Sequence, residues 1–122
     1  MTHRGLVNFG LMLAQRCEIS AASRVLQFAS FSFDASVADF LLALLNGGTL
    51  VLADKEDLLM GPDFVQLMQQ QAVSAVTLPP SALALLNPAD FPAWQTVISA
   101  GEACSAEIVA KWAPGRHFVN GY

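Results

Sequence analysis

The chain alternates between short apolar runs that predict β-strands and segments in which apolar positions recur at helical spacing. We predict strands over residues 24–30, 49–53, 74–78, 96–100 and 116–120. We predict helices over residues 5–16, 36–45, 61–71, 81–86 and 105–112. Strands that alternate with helices are typical of a parallel sheet, and right-handed crossovers place helices on both of its faces. The pattern therefore predicts an α/β fold with a doubly wound, flavodoxin-like parallel sheet of about five strands.

Residues with strong positional preferences mark the ends of two of these helices. Ser36 is followed three residues later by Asp39 and then by an apolar run, a spacing that predicts a capping box at the start of the second helix. Asn46 and Gly47 follow that run and predict a left-handed C-cap. Pro62 predicts the first turn of the third helix, because proline fits the first helical position.

The composition is apolar for a single domain of this size. Of 122 residues, 54% are hydrophobic and only 13% are charged, whereas about a quarter of residues are charged in typical domains. No uninterrupted apolar stretch reaches about 18 residues, so a membrane-spanning helix is not predicted. Two explanations remain: a dense core around strands buried on both faces, or apolar faces that pack against a partner, which we favour. Such faces also predict weak self-association.

Charge and cysteine content argue against several other classes of protein. The net charge is −4 and no basic cluster occurs, which argues against a nucleic-acid-binding surface. Cys17 and Cys104 are far apart and show no metal-ligand spacing with His3 or His117, so we expect two buried, reduced thiols. No apolar targeting stretch follows the N-terminus, and a cytoplasmic location is the default expectation.

Polar residues follow the predicted strands, where ligands bind in open parallel sheets. Asp34 follows the first strand in an aromatic setting, with no Lys or Arg nearby in sequence. Its carboxylate either caps the free backbone N–H groups of the next helix or pairs with a ligand cation, most simply an ammonium group. The pattern alone leaves both roles open.

Two further segments lie at the same edge of the predicted sheet. Gly101 either permits the close approach of the backbone to a flat ligand or makes an ordinary strand-to-helix turn. Asn120 offers an amide to the edge of a base and Tyr122 offers a ring for stacking, unless the C-terminus is frayed. Glycine-rich dinucleotide, P-loop and nucleophile-elbow motifs are absent from the sequence.

Seven segments, which together run the length of the chain, carry a resemblance to a known family. They are THRGLVN at 2–8, FDASV at 33–37, NGG at 46–48, TLPPS at 77–81, ISAGE at 98–102, KW at 111–112 and NGY at 120–122. In this order they resemble the motifs of the amino-acid adenylation domains of nonribosomal peptide synthetases. The resemblance covers essentially the whole chain.

This resemblance implies a role for each residue at the ligand edge. Asp34 would bind the α-ammonium group of an amino acid substrate. The residues that would line the pocket for its side chain are Ala35, Ala38, Thr77, Ile98, Ala100 and Gly121. The residues that would contact the adenine of ATP are Gly101, Glu102 and Ala103 on one face, Tyr122 on the other, and Asn120 at the amino group. Because most pocket residues are small and Asp34 alone is charged, we expect a bulky neutral substrate, with an aromatic side chain favoured.

Several parts of the family pattern have no counterpart in the chain. These are the phosphate-binding loop before residues 3–5, the acid that helps to hold Mg²⁺, the ribose-binding Asp and the C-terminal subdomain with its Lys. The resemblance therefore implies that residues 1–122 are one flavodoxin-like subdomain of a larger adenylation domain that uses ATP and Mg²⁺. We expect the isolated chain to be inactive, because no groups remain to stabilise the reacting phosphorus.

One alternative belongs to a different functional class. A stand-alone flavodoxin-like module would dock a partner through its apolar faces without catalysis. A flavin carrier is disfavoured because no Ser/Thr/Gly-rich phosphate loop follows the first strand. The related acyl-CoA and aryl-acid ligases share the architecture, but their substrates carry no ammonium group for Asp34 to bind.

Overall fold

The computed structural model describes residues 2–122, along which helices and strands alternate. The α-helices are α1 (His3–Arg16), α2 (Ala35–Leu44), α3 (Pro62–Gln70), α4 (Pro80–Leu85) and α5 (Ala106–Trp112). The strands are β1 (Arg24–Leu26), β2 (Thr49–Val51), β3 (Ala75–Leu78), β4 (Thr96–Ser99) and β5 (His117–Asn120). Two short 3-10 helices, Lys55–Leu58 and Pro88–Asp90, lie in the connections. Met1, with which the predicted domain begins, lies outside the described residues.

The five strands form one sheet in the order β2-β1-β3-β4-β5, and all neighbouring strands are parallel. This is the strand order of flavodoxin-like sheets, so the predicted fold class is confirmed. The register aligns the carboxyl ends of the last three strands, because Leu78 lies opposite Ser99 and Ser99 lies opposite Asn120.

Successive residues of each strand enter two separate hydrophobic layers. Val25, Ala75 and Ile98 pack with residues of α1 and α2. Their neighbours along the strands, such as Leu26 and Val76, pack with residues of α3, α4 and α5. Helices therefore cover both faces of the sheet, and both faces need apolar side chains.

An aromatic cluster fills the layer between the sheet and α5. The Trp94 ring stacks on Phe91 with ring centroids 4.0 Å apart and on Trp112 with centroids 5.5 Å apart. The Arg116 guanidinium lies 5.3 Å from the Trp112 ring centroid and donates hydrogen bonds to the backbone oxygens of Phe91, at 2.8 Å, and Pro88, at 2.7 Å. These contacts anchor the loop between α4 and β4 to the core.

Several element boundaries differ from those predicted. All five strands are shorter than predicted. β1, for example, ends before Gln27, whose side-chain amide donates a hydrogen bond to the backbone oxygen of Ala29 at 2.8 Å where the chain turns into a loop. α1 begins two residues early because the Thr2 hydroxyl accepts a hydrogen bond from the Gly5 N–H at 3.0 Å.

The predicted capping box at the start of α2 is wrong. α2 begins at Ala35, so Ser36 lies inside its first turn. The Ser36 hydroxyl donates a hydrogen bond to the backbone oxygen of Phe33 at 2.8 Å instead of capping the helix. Asp39 lies on the buried face of α2, where it packs towards the sheet.

The connection from α2 to β2 passes close to neighbouring backbone. Gly47 has a φ angle of +73°, so the predicted left-handed glycine is confirmed. A Cβ atom placed on Gly48 would lie 2.9 Å from the backbone oxygen of Ser23 and 3.2 Å from that of Ala43. Any side chain at Gly48 would therefore force the backbone to move.

We expect Gly48→Ala to lower the free energy of unfolding by about 1–3 kcal/mol, because the added methyl group meets backbone oxygens that cannot rotate away. Urea denaturation measures the change. Gly61→Ala is the matched control, since a Cβ atom there meets no other atom within 4 Å. Equal effects of the two substitutions would contradict the steric argument.

Candidate functional site

The carboxyl ends of β3, β4 and β5 bring three of the predicted pocket residues into contact. Gly121 continues the ladder beyond β5, with its N–H 2.7 Å from the backbone oxygen of Ser99. A Cβ atom placed on Gly121 would lie 3.5 Å from Ile98 Cγ2 and 3.7 Å from Ala100 Cβ. The absence of a side chain at Gly121 therefore leaves space beside Ile98 and Ala100 at this edge of the sheet.

Asp34 lies directly before α2 and does not cap it. Its backbone is already helical, with φ −64° and ψ −23°, and its side chain makes no capping hydrogen bond. Of the two roles that the sequence left open, helix capping is therefore not observed. The side chain is exposed, so its carboxylate is available to a ligand.

A groove of about 370 Å³ lies beside Asp34, and Ala35 and Ala38 also line it. α1 closes its other side with Leu6 and Phe9. The groove joins the charge of Asp34 to an apolar wall, an arrangement that suits a ligand with a cationic end and an apolar body.

Six of the seven predicted pocket residues thus fall into two groups. Asp34, Ala35 and Ala38 share the groove at α2, whereas Ile98, Ala100 and Gly121 meet at the strand ends. The groove is not lined by the strand-end group. Thr77, the seventh residue, lies opposite Ile98 in the register of β3 and β4.

The predicted adenine-binding residues are exposed at the same edge. Gly101 has a φ of +87°, and a Cβ atom there would meet nothing within 4 Å, so its backbone is open to a flat ligand. Ala103 is exposed beside it. The Asn120 side-chain oxygen accepts a hydrogen bond from the Tyr122 N–H at 3.2 Å, and the Tyr122 side chain is 77% exposed.

Glu102 has a structural contact that the sequence did not indicate. Its carboxylate accepts hydrogen bonds from the Ser81 hydroxyl at 2.9 Å and the Ser81 N–H at 3.2 Å. Ser81 lies in the first turn of α4, where backbone N–H groups lack helical partners. The Glu102 side chain therefore ties the loop after β4 to α4, so the predicted contact with adenine would fall to its backbone.

Asp39 is the residue that sequence reasoning assigned to the wrong role. It is 1% exposed, and both of its carboxylate oxygens lack a hydrogen-bond partner among residues 2–122. Burial raises the pKa of Asp39 to about 7, and the nearby backbone N–H groups of Ala29 and Phe28 and the Thr77 hydroxyl partly oppose that rise. The signal for burial was present in the sequence, since Asp39 and Leu42 lie three residues apart on one helical face.

Two kinds of site find no support within residues 2–122. No helix in this range has both the length and the apolar character needed to cross a membrane. No cluster of three or more His, Cys, Asp or Glu side chains lies together there. Cys17 and Cys104 are both free thiols; Cys17 is buried as expected, but Cys104 is partly exposed.

The order of the strands in the doubly wound sheet defines an α/β protein of the flavodoxin-like class, with polar residues at the carboxyl edge. A family model described as "AMP-binding enzyme" matches residues 1–122. The chain therefore belongs to the family of AMP-binding enzymes.

Relatives within this family are much longer synthetases. The chain is 48% identical over 120 residues to a linear gramicidin synthase of Brevibacillus parabrevis, a match that covers 98% of the chain and 2% of that protein. The predicted resemblance to nonribosomal peptide synthetase adenylation domains is confirmed. The chain spans only about 2% of the length of the first curated relatives that it matches.

Solved structures of adenylation domains share the fold. The AMPPNP-bound form of the nonribosomal peptide synthetase FmoA3 has a TM-score of 0.80 at 23% identity, over 97% of this chain and 14% of that one. The Vibrio cholerae adenylation domain AlmE, in complex with glycyl-adenosine-5'-phosphate, has a TM-score of 0.75 at 18% identity, over 88% of this chain and 21% of that one. At these identities the likeness concerns the fold.

The burial of Asp39 predicts a pH-dependent stability. Between the usual carboxyl pKa of about 4 and a pKa of about 7, the unfolded chain has released this proton while the folded chain keeps it. This contribution to the free energy of unfolding therefore falls as pH rises through that window, by roughly 1.4 kcal/mol per pH unit at most, and levels off above it.

Asp39→Asn removes this titration, so its stability relative to the original chain should rise between pH 4 and pH 7. Chemical denaturation at a series of pH values measures the difference. Asp63→Asn, which changes an exposed acid on α3, is the control. Parallel pH curves for the original chain and Asp39→Asn would show that Asp39 does not titrate in this window.

Proposed function

We propose that residues 1–122 form the substrate-recognition subdomain of an adenylation domain that activates an amino acid as its aminoacyl adenylate. The observation that carries the proposal is the free carboxylate of Asp34, which makes no capping hydrogen bond and lies beside an apolar groove. A carboxylate beside an apolar groove favours a ligand with a cationic end, because a ligand that covers the groove would take water from the charge and a cation would offset that cost. The α-ammonium group of an amino acid is such a partner, and acids without an amino group are not.

The substrate side chain would lie between the two groups of small residues. Ala38 on α2 contributes from one side, and Ala100 and Gly121 at the strand ends contribute from the other. Small residues leave volume for a large ligand, and the absence of any charge besides Asp34 disfavours an acidic or basic side chain. We therefore propose a bulky neutral amino acid as the substrate, with an aromatic one favoured.

Adenine would bind at the exposed edge next to this pocket. The open backbone from Gly101 to Ala103 would lie along one face of the base, and the exposed ring of Tyr122 would stack on the other face. The Asn120 side chain would accept a hydrogen bond from the adenine amino group. The ligands named for AlmE and FmoA3, an aminoacyl adenosine phosphate and AMPPNP, have the chemistry that this site would need.

The whole reaction would depend on parts of the synthetase beyond these residues. Within residues 2–122 no three His, Cys, Asp or Glu side chains cluster together, and in this proposal the groups that hold the metal and the ATP phosphates belong to neighbouring subdomains. Residues 1–122 alone would then not catalyse adenylation. The neighbouring subdomains are the proposed partners, nucleic acid is not, and a cytoplasmic location would supply the ATP.

The first test grafts residues 1–122 into a complete adenylation domain of different specificity. Amino-acid-dependent pyrophosphate exchange over a panel of amino acids should show a new preference, and Asp34→Ala should lower kcat/KM by at least about a hundredfold through loss of the ammonium partner. Asp63→Ala, an exposed acid far along the chain on α3, should change little. A folded graft that keeps the preference of its host would contradict the proposal.

A second substitution tests the size of the pocket. In the same graft, Ala38→Trp should shift the preference towards smaller amino acids, because the indole would occupy volume beside Asp34. The ratio of kcat/KM values for a large and a small neutral amino acid measures the shift, which we expect to be about tenfold or more. Unchanged selectivity would contradict the assignment of Ala38 to the pocket.

A further inference from the structure

Asp39 has no assigned role, although it is the least exposed acid of the candidate site. It lies on α2, which begins directly after Asp34, and it follows Ala38 but is buried inside the protein. A buried carboxyl group at this place is costly unless it is neutral or paired. Its burial between two proposed pocket elements calls for a physical reason.

The surroundings of Asp39 contain no charged partner. The groups that influence it are the backbone N–H groups of Phe28 and Ala29, where the chain leaves β1, and the hydroxyl of Thr77 on β3. The elements packed against α2 and the adjoining β3 carry four basic or titratable side chains: His3, Arg4, Arg16 and Arg24. None of these contributes to the pKa of Asp39, which burial raises to about 7.

A second orphaned polar group lies beside the same two neighbours. Gln27 is 5% exposed, and its side-chain oxygen has no hydrogen-bond partner in the part of the chain that the structure describes. Its amide donates to the backbone oxygen of Ala29 at 2.8 Å. Val25 lies opposite Ala75, and the same parallel register continued past the end of β1 would bring Gln27 towards Thr77. Ala29 and Thr77 are thus shared neighbours of Gln27 and Asp39.

One protonation state satisfies both orphaned groups. An ionised Asp39 has acceptors only, so it could accept from the Thr77 hydroxyl and the backbone N–H groups but would give the side-chain oxygen of Gln27 no donor. A neutral carboxylic acid has one O–H donor and one carbonyl acceptor. The acid proton would serve Gln27 Oε1, and the carbonyl oxygen would remain for the Thr77 hydroxyl or a backbone N–H group.

We propose that Asp39 is a positioning residue which, as a neutral acid donating a hydrogen bond to Gln27, fixes the first turns of α2 against the ends of β1 and β3. This inference rests on the proposed function, since it deepens the account of the amino acid pocket. α2 begins directly after Asp34 and carries Ala38, whereas β3 carries Thr77. The Asp39 contact therefore sets the spacing between the ammonium-binding carboxylate and the strand ends, and it does not touch the substrate.

The test uses the complete adenylation domain that carries residues 1–122, with Asp39→Asn and Asp39→Ala compared by pyrophosphate exchange. Asparagine retains one donor for Gln27 and one acceptor for Thr77, so the KM for the amino acid should stay within about twofold of the parent. Alanine should raise that KM by about tenfold or more and leave the KM for ATP nearly unchanged. Asp63→Asn is the matched control on an exposed helix position.

The pH profile and an infrared measurement separate positioning from general packing. In the parent, kcat/KM for the amino acid should fall as Asp39 ionises above about pH 7, and Asp39→Asn should lack that fall. Difference infrared spectra of the parent should show a protonated carboxyl band near neutral pH that Asp39→Asn removes. The infrared result decides the protonation state even where Asp39→Ala fails to fold.

Three results would overturn the inference. An Asp39→Asn domain as impaired as Asp39→Ala would mean that the group acts as a carboxylate. If the KM for the amino acid is unchanged in a folded Asp39→Ala domain, Asp39 does not position α2 for substrate binding. Absence of the protonated band in the parent would exclude the neutral acid.

The Asp34→Ala variant keeps the failure of this inference apart from failure of the proposed function. Loss of amino acid binding in Asp34→Ala, with no effect of Asp39→Ala, would support the pocket and reject the inference. No effect of Asp34→Ala, with an effect of Asp39→Ala, would reject ammonium binding at Asp34 and with it the pocket that Asp39 is proposed to shape.

Discussion

The parallel register of β3, β4 and β5 is the constraint on which the candidate site depends. Backbone hydrogen bonds place Leu78, Ser99 and Asn120 side by side, so the residues that follow these strands emerge at one edge. A slip of one residue would turn every side chain to the opposite face of the sheet. Ile98 and Gly121 would then no longer meet, and the space that Gly121 leaves open would be lost.

Tertiary contacts then tie the neighbouring helices to that edge. The Glu102 carboxylate holds the first turn of α4 through Ser81, while the C-terminal end of α4 receives hydrogen bonds from the Lys111 ammonium group and the Trp112 indole N–H. The bond from the Trp112 indole is buried, so a displacement of α4 would leave its donor and acceptor unpaired away from water. By the same argument, the hydrogen bonding of Asp39 and Gln27 is incomplete, since three of their buried side-chain oxygens lack partners among the described residues.

Much of the fold followed from local patterns. Alternation of apolar runs and helical segments predicted five parallel strands with helices on both faces, and Gly47 predicted the left-handed end of α2. The lengths of the strands were overestimated, because apolar residues continue past the last ladder hydrogen bond into loops such as the one at Ala29. The capping box failed because Ser36 and Asp39 satisfy a local spacing rule, while burial of the α2 face placed Asp39 inside the protein.

The sequence by itself determined the class of fold, the edge at which ligand-binding residues gather, and the family whose motifs those residues match. These depend on the period of apolar positions and on residue types at strand ends, which are local properties of the chain. Only the tertiary structure decided that Asp34 does not cap α2, that Glu102 is hydrogen-bonded to α4, and that Asp39 is buried without an oppositely charged partner. Hydrogen bonding and burial depend on residues distant along the chain, and no local pattern records which of them will meet.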